Sequence, residues 1–488
     1  MRWVSSAQQV RALDAATIEG LGVPGFALME VAARGVAMHV RANFAVAARQ
    51  GTVVVCGGGN NGGDGYAIAR WLHGWGWPVR VVATTPNSRG DAGTNRALCD
   101  TLGIAVGSDA SVMASAGLII DAVFGTGLDR PVTGPLATLL SSMGEAPAPV
   151  IAVDLPSGLH ADTGQPLGPV PPAAVTVTFG RLKPGLLLAP GVDLCGRVEV
   201  VDIGLGVAET SPSVVAGIPE ASDLADLWPR RKPGDHKSRS GHLLVVAGSP
   251  RMAGAAVLCC RAGLRAGAGL VTLAVSADTW PRLAALPPEV MVTEWSDALD
   301  LGGFSAIAAG PGLGGGRALA PDIRAWLGRA WASDLPAVYD ADALGSVDGK
   351  AGARKVLTPH PGEASRLLGC SAAEVEADRF HAAHALAKDR VALLKGRNTI
   401  VALGGAPLSI NPTGASTLAT AGSGDVLTGV IGALLARGLT AWDAARLGAW
   451  VHGRSGELLH AQNSVGWTAG DVADRLPVAI DELLRCGD

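Results

Sequence analysis

A glycine-rich stretch in the last fifth of the chain has the residue types of a phosphate-transfer site. Gly422-Ser-Gly-Asp425 stands directly before an apolar pattern with helical spacing, Val426–Leu435. The start of a helix presents free backbone N–H groups and the positive end of its dipole, which suits a phosphate. The carboxylate of Asp425 is better explained as a base that meets a hydroxyl beside that phosphate. A capped helix after a long loop is the structural alternative.

A second glycine-rich loop, in the first half of the chain, carries amide and carboxylate side chains. The β-branched run Thr52–Cys56 is followed by Gly57-Gly-Gly-Asn-Asn-Gly-Gly-Asp-Gly65 and then by a helical pattern. A strand, a glycine loop and a helix in this order form the phosphate loop of a βαβ nucleotide-binding unit. Asn60, Asn61 and Asp64 add polar contacts that the ordinary dinucleotide fingerprint lacks. A purely structural turn is the alternative.

Two further predicted strands of this half end in a carboxylate, Asp121 and Asp154, and each leads into a loop of small residues. The carboxyl ends of parallel strands line one crevice of an open sheet. We therefore expect both carboxylates to meet Asp64 in that crevice. The oxygens of Asn61, Asp121 and Ser157 could also hold a hard cation there.

One lysine, Lys183, follows these strands in the sequence. It stands in the turn Lys183-Pro-Gly185 between two short β-like segments. We interpret it as an exposed turn lysine, the usual setting of such a residue. Neutralisation of a ligand phosphate is the alternative.

The motifs N-N-G-G-D-G, D-A-V-F-G-T-G-L and D-L-P-S-G together resemble the epimerase domain of NAD(P)H-hydrate repair enzymes, over residues 5–215. The resemblance implies a Rossmann-like three-layer domain that interconverts the R and S forms of hydrated NADH and NADPH (NADHX and NADPHX). It implies K⁺ near Asn61, Asp121 and Ser157, and Asp154 is our candidate for acid–base catalysis. The implied substrate contacts are Asn60, Asn61, Gly62, Gly63, Asp64, Gly125, Thr126, Gly127, Leu128, Asp129, Arg130, Pro131 and Asp154.

The second half of the chain repeats an alternation of strands, turns and helices, which predicts a central sheet covered by helices on both faces. Lys395-Gly-Arg-Asn-Thr399 offers backbone N–H groups and a cation to a nucleotide phosphate, with a simple hairpin as the alternative. His360, fixed between two prolines, suits a substrate contact or a structural hydrogen bond. Asp342 and Glu363 serve either a magnesium–water shell or a capping role.

The motifs T-P-H-P-G-E, K-G-x-x-T and T-A-G-S-G-D resemble the ADP-dependent NAD(P)H-hydrate dehydratases of the ribokinase-like superfamily, over residues 225–485. The resemblance implies a three-layer domain in which ADP, with Mg²⁺, phosphorylates the hydrate hydroxyl, and loss of phosphate restores NAD(P)H and leaves AMP. Asp425 would deprotonate the hydroxyl, and the amides of Gly422–Gly424 would stabilise the transferring group. The implied substrate contacts are Gly254, Gly312, His360 and Asp425, and the implied nucleotide contacts are Lys395, Gly396, Arg397, Asn398, Thr399 and Gly424.

Length and composition fit two α/β domains. A chain of 488 residues is long enough for two or more domains, and its 17% charged residues and net charge of -4 argue against disorder and against a nucleic-acid surface. The seven cysteines form no C-x-x-C pair, so neither a zinc site nor a disulfide framework is indicated. We predict domains at 1–215 and 225–488. A linker-like segment begins at Gly206, and the linker continues over 216–240, which includes the basic cluster 230–239.

The chain shows neither a signal-peptide layout nor an apolar run of ~18 residues, so we expect a cytoplasmic protein without membrane contact. The expected partners are the small molecules NADHX, NADPHX and ADP. We also expect a homo-oligomer, although no residue pattern sets the number of subunits. Two other functions are compatible with the motifs. One is a ribokinase-like small-molecule kinase with an N-terminal nucleotide-sensing domain, and the other is a nucleotide-binding scaffold without activity.

Overall fold

The computed structural model describes residues 1–205, 214–230, 234, 236–314, 319–347, 352 and 354–487. The chain divides into two compact units, Arg2–Val215 and Ala216–Asp488. The strands of the first unit are β1 (Arg2–Val4), β2 (Thr52–Cys56), β3 (Val79–Ala83), β4 (Ala105–Gly107), β5 (Leu118–Ala122), β6 (Val150–Val153), β7 (Val175–Phe179) and β8 (Arg197–Val201). Its helices are α1 (Ala7–Ala15), α2 (Gly25–Asn43), α3 (Ala45–Gln50), α4 (Asn60–Gly74), α5 (Gly90–Thr101), α6 (Gly134–Glu145) and α7 (Gly191–Leu194).

The first unit is built on a parallel sheet with the strand order β4-β3-β2-β5-β6-β7-β8. Alternate residues of a strand face opposite sides of a sheet. Val54 and Cys56 therefore pack with α2 and α4, whereas Val53 and Val55 pack with α6. After β2 the chain adds β3 and β4 on one side of β2, and it then adds β5 on the opposite side of β2. This switch point is where open parallel sheets bind ligands, and α4 begins there.

The second unit has its own central sheet. Its strands are β9 (Ala216–Ile218), β10 (His242–Val246), β11 (Leu270–Val275), β12 (Met291–Glu294), β13 (Ala306–Ala309), β14 (Ala337–Tyr339), β15 (Lys355–Leu357), β16 (Val391–Leu394), β17 (Ile400–Leu403) and β18 (Leu408–Ile410). Its helices are α8 (Ala221–Ala225), α9 (Ala253–Arg265), α10 (Pro321–Ala332), α11 (Pro361–Leu368), α12 (Ala372–Ala377), α13 (Arg379–Ala387), α14 (Ser423–Ala436), α15 (Ala441–His460) and α16 (Ala469–Arg485).

Within this unit the strand order is β9-β18-β17-β16-β15-β14-β13-β10-β11-β12. The strands from β10 to β16 pair in parallel, and β17 is antiparallel to both of its neighbours. Leu243 and Val245 of β10 pack with α9 and α14, and Leu244 and Val246 pack with α10. Both sheets are thus covered by helices on both faces, and the predicted α/β class is confirmed.

The prediction of a linker over 216–240 is wrong for its first part. β9 pairs with β18 in the sheet, and Leu224, Ala225 and Trp228 are buried in the core of the second unit. The burial of these apolar side chains stabilises a short helix in a segment whose prolines and charges suggested a loop. Residues 206–213 of the predicted linker, and 231–233 and 235 of the basic cluster, lie outside the described residues.

Among the residues that the structure describes, none of the helices combines the length and the apolar character that a membrane crossing requires. The most apolar helix, α14, is instead buried inside the second unit, between the sheet and the helices α9, α15 and α16. Its contact with α9 is very close at Gly429. A Cβ atom added there would lie 2.1 Å from the carbonyl oxygen of Cys259.

Two glycine-to-alanine substitutions in helices of this unit should have opposite effects on its stability. Gly429→Ala should lower the free energy of unfolding of the second unit by about 1–3 kcal/mol, because α9 and α14 must move apart. Gly328→Ala is the matched control, since an added Cβ at Gly328 of α10 meets no atom within 4 Å. It should raise stability by up to about 1 kcal/mol through helix propensity. Urea unfolding followed by circular dichroism measures both, and equal stabilities would contradict the packing argument.

Candidate active sites

The crevice of the first unit is centred on Asp154, which directly follows β6. Its φ of 67° lies in the left-handed region that non-glycine residues seldom adopt, and such backbone strain concentrates at functional sites. Its Oδ1 accepts hydrogen bonds from Lys183 Nζ at 2.5 Å and from Thr178 Oγ1 at 3.0 Å. A Cβ added at Gly125 would lie 3.2 Å from Asp154 Oδ2 and 3.4 Å from Asn61 Oδ1. These three predicted residues therefore meet, and the absent Gly125 side chain leaves space between the two oxygens.

The interpretation of Lys183 as an exposed turn residue is wrong. Its side chain is only 1% exposed, and the ammonium also donates to Thr178 Oγ1 at 2.8 Å and to the carbonyl of Phe179 at 3.1 Å. A buried ammonium requires a counter-charge and full hydrogen bonding, which Asp154 and these two oxygens supply. Asp154 is 29 residues away in the sequence, so the turn pattern alone gave no sign of the ion pair.

Two more carboxyl groups surround this ion pair. Burial raises the pKa of Asp64 well above its ordinary value, and the charges of Asp154 and Asp14 add to the effect. Burial also raises the pKa of Asp14. The charge of Lys183 opposes this shift, and the charge of Asp154 reinforces it. Sequence analysis missed Asp14, which lies on α1. The crevice thus combines a lysine-paired carboxyl group with two carboxyl groups whose pKa values burial raises, a combination suited to acid–base chemistry.

The backbone around Asn60–Asp64 is arranged as an anion site. These residues form the first turn of α4, and Gly59 precedes them without a side-chain cap, so the first amides have no partner within the helix. Among the described residues, Asn61 Nδ2 is buried without a hydrogen-bond partner. Gly62 and Gly63 are required by packing, since added Cβ atoms would lie 1.9 Å from the Gly57 carbonyl oxygen and 2.7 Å from a methionine side chain.

The loop 125–131 has one buried anchor and an open rim. Leu128 is buried in the core beneath α6. Gly125 and Thr126 are half-buried, and the exposed members of the loop are Gly127, Asp129, Arg130 and Pro131. Arg11 of α1 donates to the carbonyl of Thr126 at 3.3 Å. Of this predicted substrate segment, the structure thus brings Gly125 against Asp154, whereas the polar side chains of the rim face solvent.

Asp121 and Ser157 form a buried pair in the same unit. Ser157 donates its hydroxyl to Asp121 Oδ1 at 2.5 Å and its amide to Oδ2 at 2.8 Å. Burial raises the pKa of Asp121 to about 6, although hydrogen bonds from Ser157 and the Val123 amide oppose the shift. Within the described part of the chain, no lysine, arginine or histidine forms an ion pair with this carboxylate. Among the described residues, hydrogen bonds rather than an opposite charge stabilise this carboxylate.

The crevice of the second unit is centred on the start of α14. Gly422 has a φ of 89° and provides no side-chain cap, so the first amides of the helix have no partner within it. An added Cβ at Gly422 would lie 2.5 Å from the Leu258 side chain and 3.7 Å from Asp425 Oδ2. Burial raises the pKa of Asp425 to about 7, with Asp340 reinforcing and Lys395 opposing the shift. A carboxylate with a pKa near neutrality is well suited to act as a general base.

A lysine also balances the carboxylates of this crevice. Lys395 Nζ lies 2.7 Å from Asp340 Oδ1 and 3.7 Å from Glu363 Oε2, and Thr428 Oγ1 donates to Asp340 Oδ2 at 2.9 Å. Burial disfavours the lysine charge, but these carboxylates, with Asp425, outweigh burial and raise the pKa of Lys395. An added Cβ at Gly424 would lie 3.4 Å from Lys395 Nζ. The absence of a side chain at Gly424 thus keeps the ammonium accessible from the helix start.

The predicted nucleotide contacts lie together in one cavity of about 690 Å³, a volume within the usual range of ligand pockets. Its lining includes Lys395, Gly396, Arg397, Asn398, Thr399 and Gly424, together with the segment Asn411–Ser416, Ser423 and His452. Sequence analysis missed Arg379, which is buried beneath this loop. It donates to the carbonyls of Leu394 at 3.4 Å and Lys395 at 3.3 Å, and thereby supports the loop from below.

The two proposed roles of His360 are both compatible with its position. Its Nδ1 accepts from the amides of Gly362 at 3.0 Å and Glu363 at 3.3 Å, so the ring caps α11. The side chain is nevertheless 54% exposed, so a ligand can reach the ring, although its Nε2 lies 3.5 Å from Glu363 Oε1. Because Nδ1 accepts, the neutral ring carries its proton on Nε2.

The carboxylates that were candidates for magnesium have capping contacts. Glu363 Oε2 accepts from the His360 amide at 2.9 Å, and Asp342 Oδ2 accepts from the Gly314 amide at 2.8 Å. Within the described ranges, no group of three or more His, Cys, Asp and Glu side chains is arranged to hold a metal ion.

Gly254 and Gly312 lie at the start of α9. Gly312 has a φ of 65°, and an added Cβ would lie 2.9 Å from the Met252 carbonyl oxygen. Gly254 has open space around its Cα, since an added Cβ would meet no atom within 4 Å. α9 contacts the start of α14 through Leu258. The open space beside Gly254 therefore lies on a helix that packs against the helix of Asp425.

Two protein-family profiles match the chain in succession. The profile described as YjeF-related protein N-terminus matches residues 25–185, and the one described as NAD(P)H-hydrate dehydratase matches residues 243–478. A bifunctional NAD(P)H-hydrate repair enzyme of Moorella thermoacetica is 37% identical, with 99% of this chain and 97% of that protein covered. A protein of the same description from Escherichia coli is 38% identical, with 80% of this chain and 78% of that protein covered.

Among solved structures, the ADP/ATP-dependent NAD(P)H-hydrate dehydratase from Bacillus subtilis, co-crystallised with ATP and Mg²⁺, is similar to part of the chain. The match covers 55% of this chain and 99% of that protein, with 28% sequence identity and a TM-score of 0.51. The similarity agrees with the ribokinase-like fold expected for the second unit.

The charge of Asp340 contributes to the near-neutral pKa of Asp425, and a substitution tests this contribution. Asp340→Asn removes a negative neighbour, so it should lower the pKa of Asp425 from about 7 toward the ordinary value of a carboxyl. Thr428→Val is the control, because it removes a hydrogen bond to Asp340 but keeps the charge. Carbon-13 NMR titration of labelled aspartate carboxyls measures the pKa in each variant. An unchanged or raised pKa in Asp340→Asn would contradict the electrostatic explanation.

Proposed function

This chain belongs to the family of bifunctional NAD(P)H-hydrate repair enzymes, and on that premise we propose which residues carry out each of its two reactions. Its first unit is the epimerase domain, and its second unit is the nucleotide-dependent dehydratase domain. The two resemblances drawn from the sequence motifs are thereby confirmed. The kinase and scaffold alternatives are set aside, since both profiles and the full-length relatives point to hydrate repair.

We propose that Asp425 is the base of the dehydratase reaction. The observation that carries this assignment is its position at an uncapped helix start, with a pKa near 7, beside the 690 Å³ cavity. ADP would occupy the cavity, with its phosphates over Lys395–Thr399 and its terminal phosphate at the amides of Gly422–Gly424. Asp425 would take the proton of the hydrate hydroxyl, so that the oxygen attacks the phosphorus.

The chemical steps then balance without another reactant. A P–O bond to the hydrate oxygen forms as the P–O bond to AMP breaks. The phosphorylated oxygen leaves the ring carbon as phosphate, the neighbouring ring carbon loses a proton, and the double bond of NAD(P)H is restored. Gly254, Gly312 and His360 would border the hydrate. Mg²⁺ would neutralise the nucleotide phosphates, and Glu363, which lies 3.7 Å from Lys395, is the protein carboxylate that could serve its water shell.

We propose that Asp154 is the base of the epimerase reaction, which acts on the R and S forms of NADHX and NADPHX. Epimerisation requires that one bond to the hydrated carbon breaks and reforms from the opposite face. Asp154 Oδ2 faces the space above Gly125, while Lys183 holds Oδ1. Asp154 would take a proton from the substrate as that bond breaks, and Asp64, whose neutral form burial favours, would return one as the bond reforms. The substrate phosphates would lie at the first turn of α4, over Asn60–Gly63, with 125–131 along the rim.

We propose K⁺ as the group that balances the buried charge of Asp121. The oxygens of Asn61, Asp121 and Ser157 are the hard donors that such a cation prefers, and no side-chain cation pairs with Asp121 in the described residues. The bound cation would fix the loop after β5 and lower the cost of the buried carboxylate. Cytoplasmic location and homo-oligomerisation stay predictions.

Potassium should therefore stimulate epimerisation alone. The rate of interconversion of the two NADHX epimers should rise and saturate as KCl replaces choline chloride at constant ionic strength. Asp121→Asn should weaken or abolish this response, whereas the dehydratase rate of the same variant serves as the control and should stay near the wild-type rate. Chromatographic separation of the epimers measures the first rate. An epimerisation rate that is independent of K⁺ in the wild-type protein would contradict the assignment.

The two aspartates should be separable by mutation. Asp425→Asn should reduce ADP-dependent NADH formation by about 10²- to 10⁴-fold, the usual contribution of a general base, and spare epimerisation. Asp154→Asn should do the reverse. Each variant serves as the control for the other, and thermal unfolding checks that both are folded. Loss of both activities in a folded single variant would refute the two-site assignment.

A further inference from the structure

The wall of the nucleotide cavity contains a histidine that none of the steps above uses. His452 of α15 is 8% exposed, and its Nε2 lies 3.1 Å from the hydroxyl oxygen of Ser423. Ser423 is itself 7% exposed and is the first residue of α14. Both residues line the cavity together with Gly424. The Ser423 hydroxyl therefore lies beside the amides that we assign to the transferring phosphoryl group.

The depth of His452 in the cavity wall is fixed by hydrogen bonds between α15 and the neighbouring loop. Thr413 Oγ1 donates to the carbonyl of Trp450 at 2.8 Å, and Thr417 Oγ1 donates to that of Gly456 at 2.8 Å. At Gly453 an added Cβ would lie 2.2 Å from Thr413 Oγ1, so helix and loop are in close contact. These contacts fix the part of α15 that carries His452 against the loop.

The imidazole is neutral in the physiological range. Burial lowers the pKa of His452 to about 4, with a hydrogen bond to the Ser423 backbone opposing and the Lys395 charge reinforcing the shift. A neutral ring has one donor and one acceptor nitrogen. If Nε2 accepts the Ser423 proton, the hydroxyl presents only lone pairs to the cavity, and these repel a phosphate. If Nε2 carries the proton and donates, the hydroxyl is free to donate to the phosphate.

We propose that His452 is a positioning residue, which as its Nε2–H tautomer directs the Ser423 hydroxyl onto the transferring phosphoryl group. Ser423 then adds a side-chain donor to the backbone amides of the anion site. A neutral imidazole supplies this orientation without placing a second positive charge beside Lys395. The inference rests on the nucleotide site of the proposed function, and it assigns a role in that site to a pair separated by 29 residues.

A double-mutant cycle tests this pair. Ser423→Ala and His452→Phe should each lower kcat/KM for ADP-dependent NADH formation by roughly 10- to 100-fold, the size of a hydrogen bond to a charged group. Because His452 acts through Ser423, the double variant should be no worse than Ser423→Ala alone. His452→Gln keeps a donor at the position of Nε2 and should retain most of the activity. Losses that multiply in the double variant, or a His452→Phe protein with wild-type activity, would overturn the proposal.

Nitrogen-15 NMR of labelled histidine gives a readout that a purely structural role would not move. In the complex of the full-length protein with ADP and Mg²⁺, His452 should be protonated at Nε2, and the Nδ1–H tautomer would overturn the proposal. The outcomes are distinguishable from failure of the proposed function. If the wild-type protein forms NADH but the losses of the two single variants multiply in the double variant, only the proposed role of His452 and Ser423 is rejected. No NADH formation by the wild type rejects the proposed function, and the tautomer measured with ADP still decides the role of His452.

Discussion

Each of the two crevices depends on one ammonium group set among carboxyl groups, fully buried at Lys183 and partly buried at Lys395. Lys183 pairs with Asp154 in the epimerase domain, and Lys395 pairs with Asp340 in the dehydratase domain. Burial of a lone carboxylate or a lone ammonium is very costly, so neither group of a pair could occupy its place without the other. The lysine also sets the roles of its neighbours. In both domains one carboxyl group pairs directly with the lysine, while burial raises the pKa of a second carboxyl nearby, Asp64 or Asp425.

The backbone complements these charged groups in the same way in both domains. α4 and α14 each begin after a glycine that offers no side-chain cap, and each begins at a switch point or beside the carboxyl ends of parallel strands. Their first amides therefore have no partner within the helix. Close packing explains the neighbouring glycines, because added Cβ atoms at Gly62 and Gly429 would strike backbone oxygens. The glycine content of the two motifs thus serves both packing and binding.

Much of this organisation could be predicted from local sequence. Strand–glycine–helix patterns indicated both sheets and both helix starts, because strand ends, glycine turns and amphipathic helices have short-range signatures. The partners of the charged groups were not predictable in this way. Lys183 had the pattern of an exposed turn, and Asp14 and His452 lie on helices whose sequences show only ordinary helical features. Their roles arise from contacts over 29 or more residues, which only the folded chain brings together. The segment from Ala216 to Trp228 was mistaken for a linker because a proline and several charges interrupt it, although Leu224, Ala225 and Trp228 are buried in the core.

The account is tested most directly by the return of NADH absorbance from a mixture of both NADHX epimers. The full-length protein should convert the whole mixture to NADH when ADP is present, because the epimerase domain converts the epimer that the dehydratase domain does not accept into the one that it does. Without a nucleotide no NADH should form, and phosphate and AMP should appear in step with NADH. A failure to recover NADH with ADP, or the accumulation of a stable phosphorylated hydrate in its place, would contradict the account.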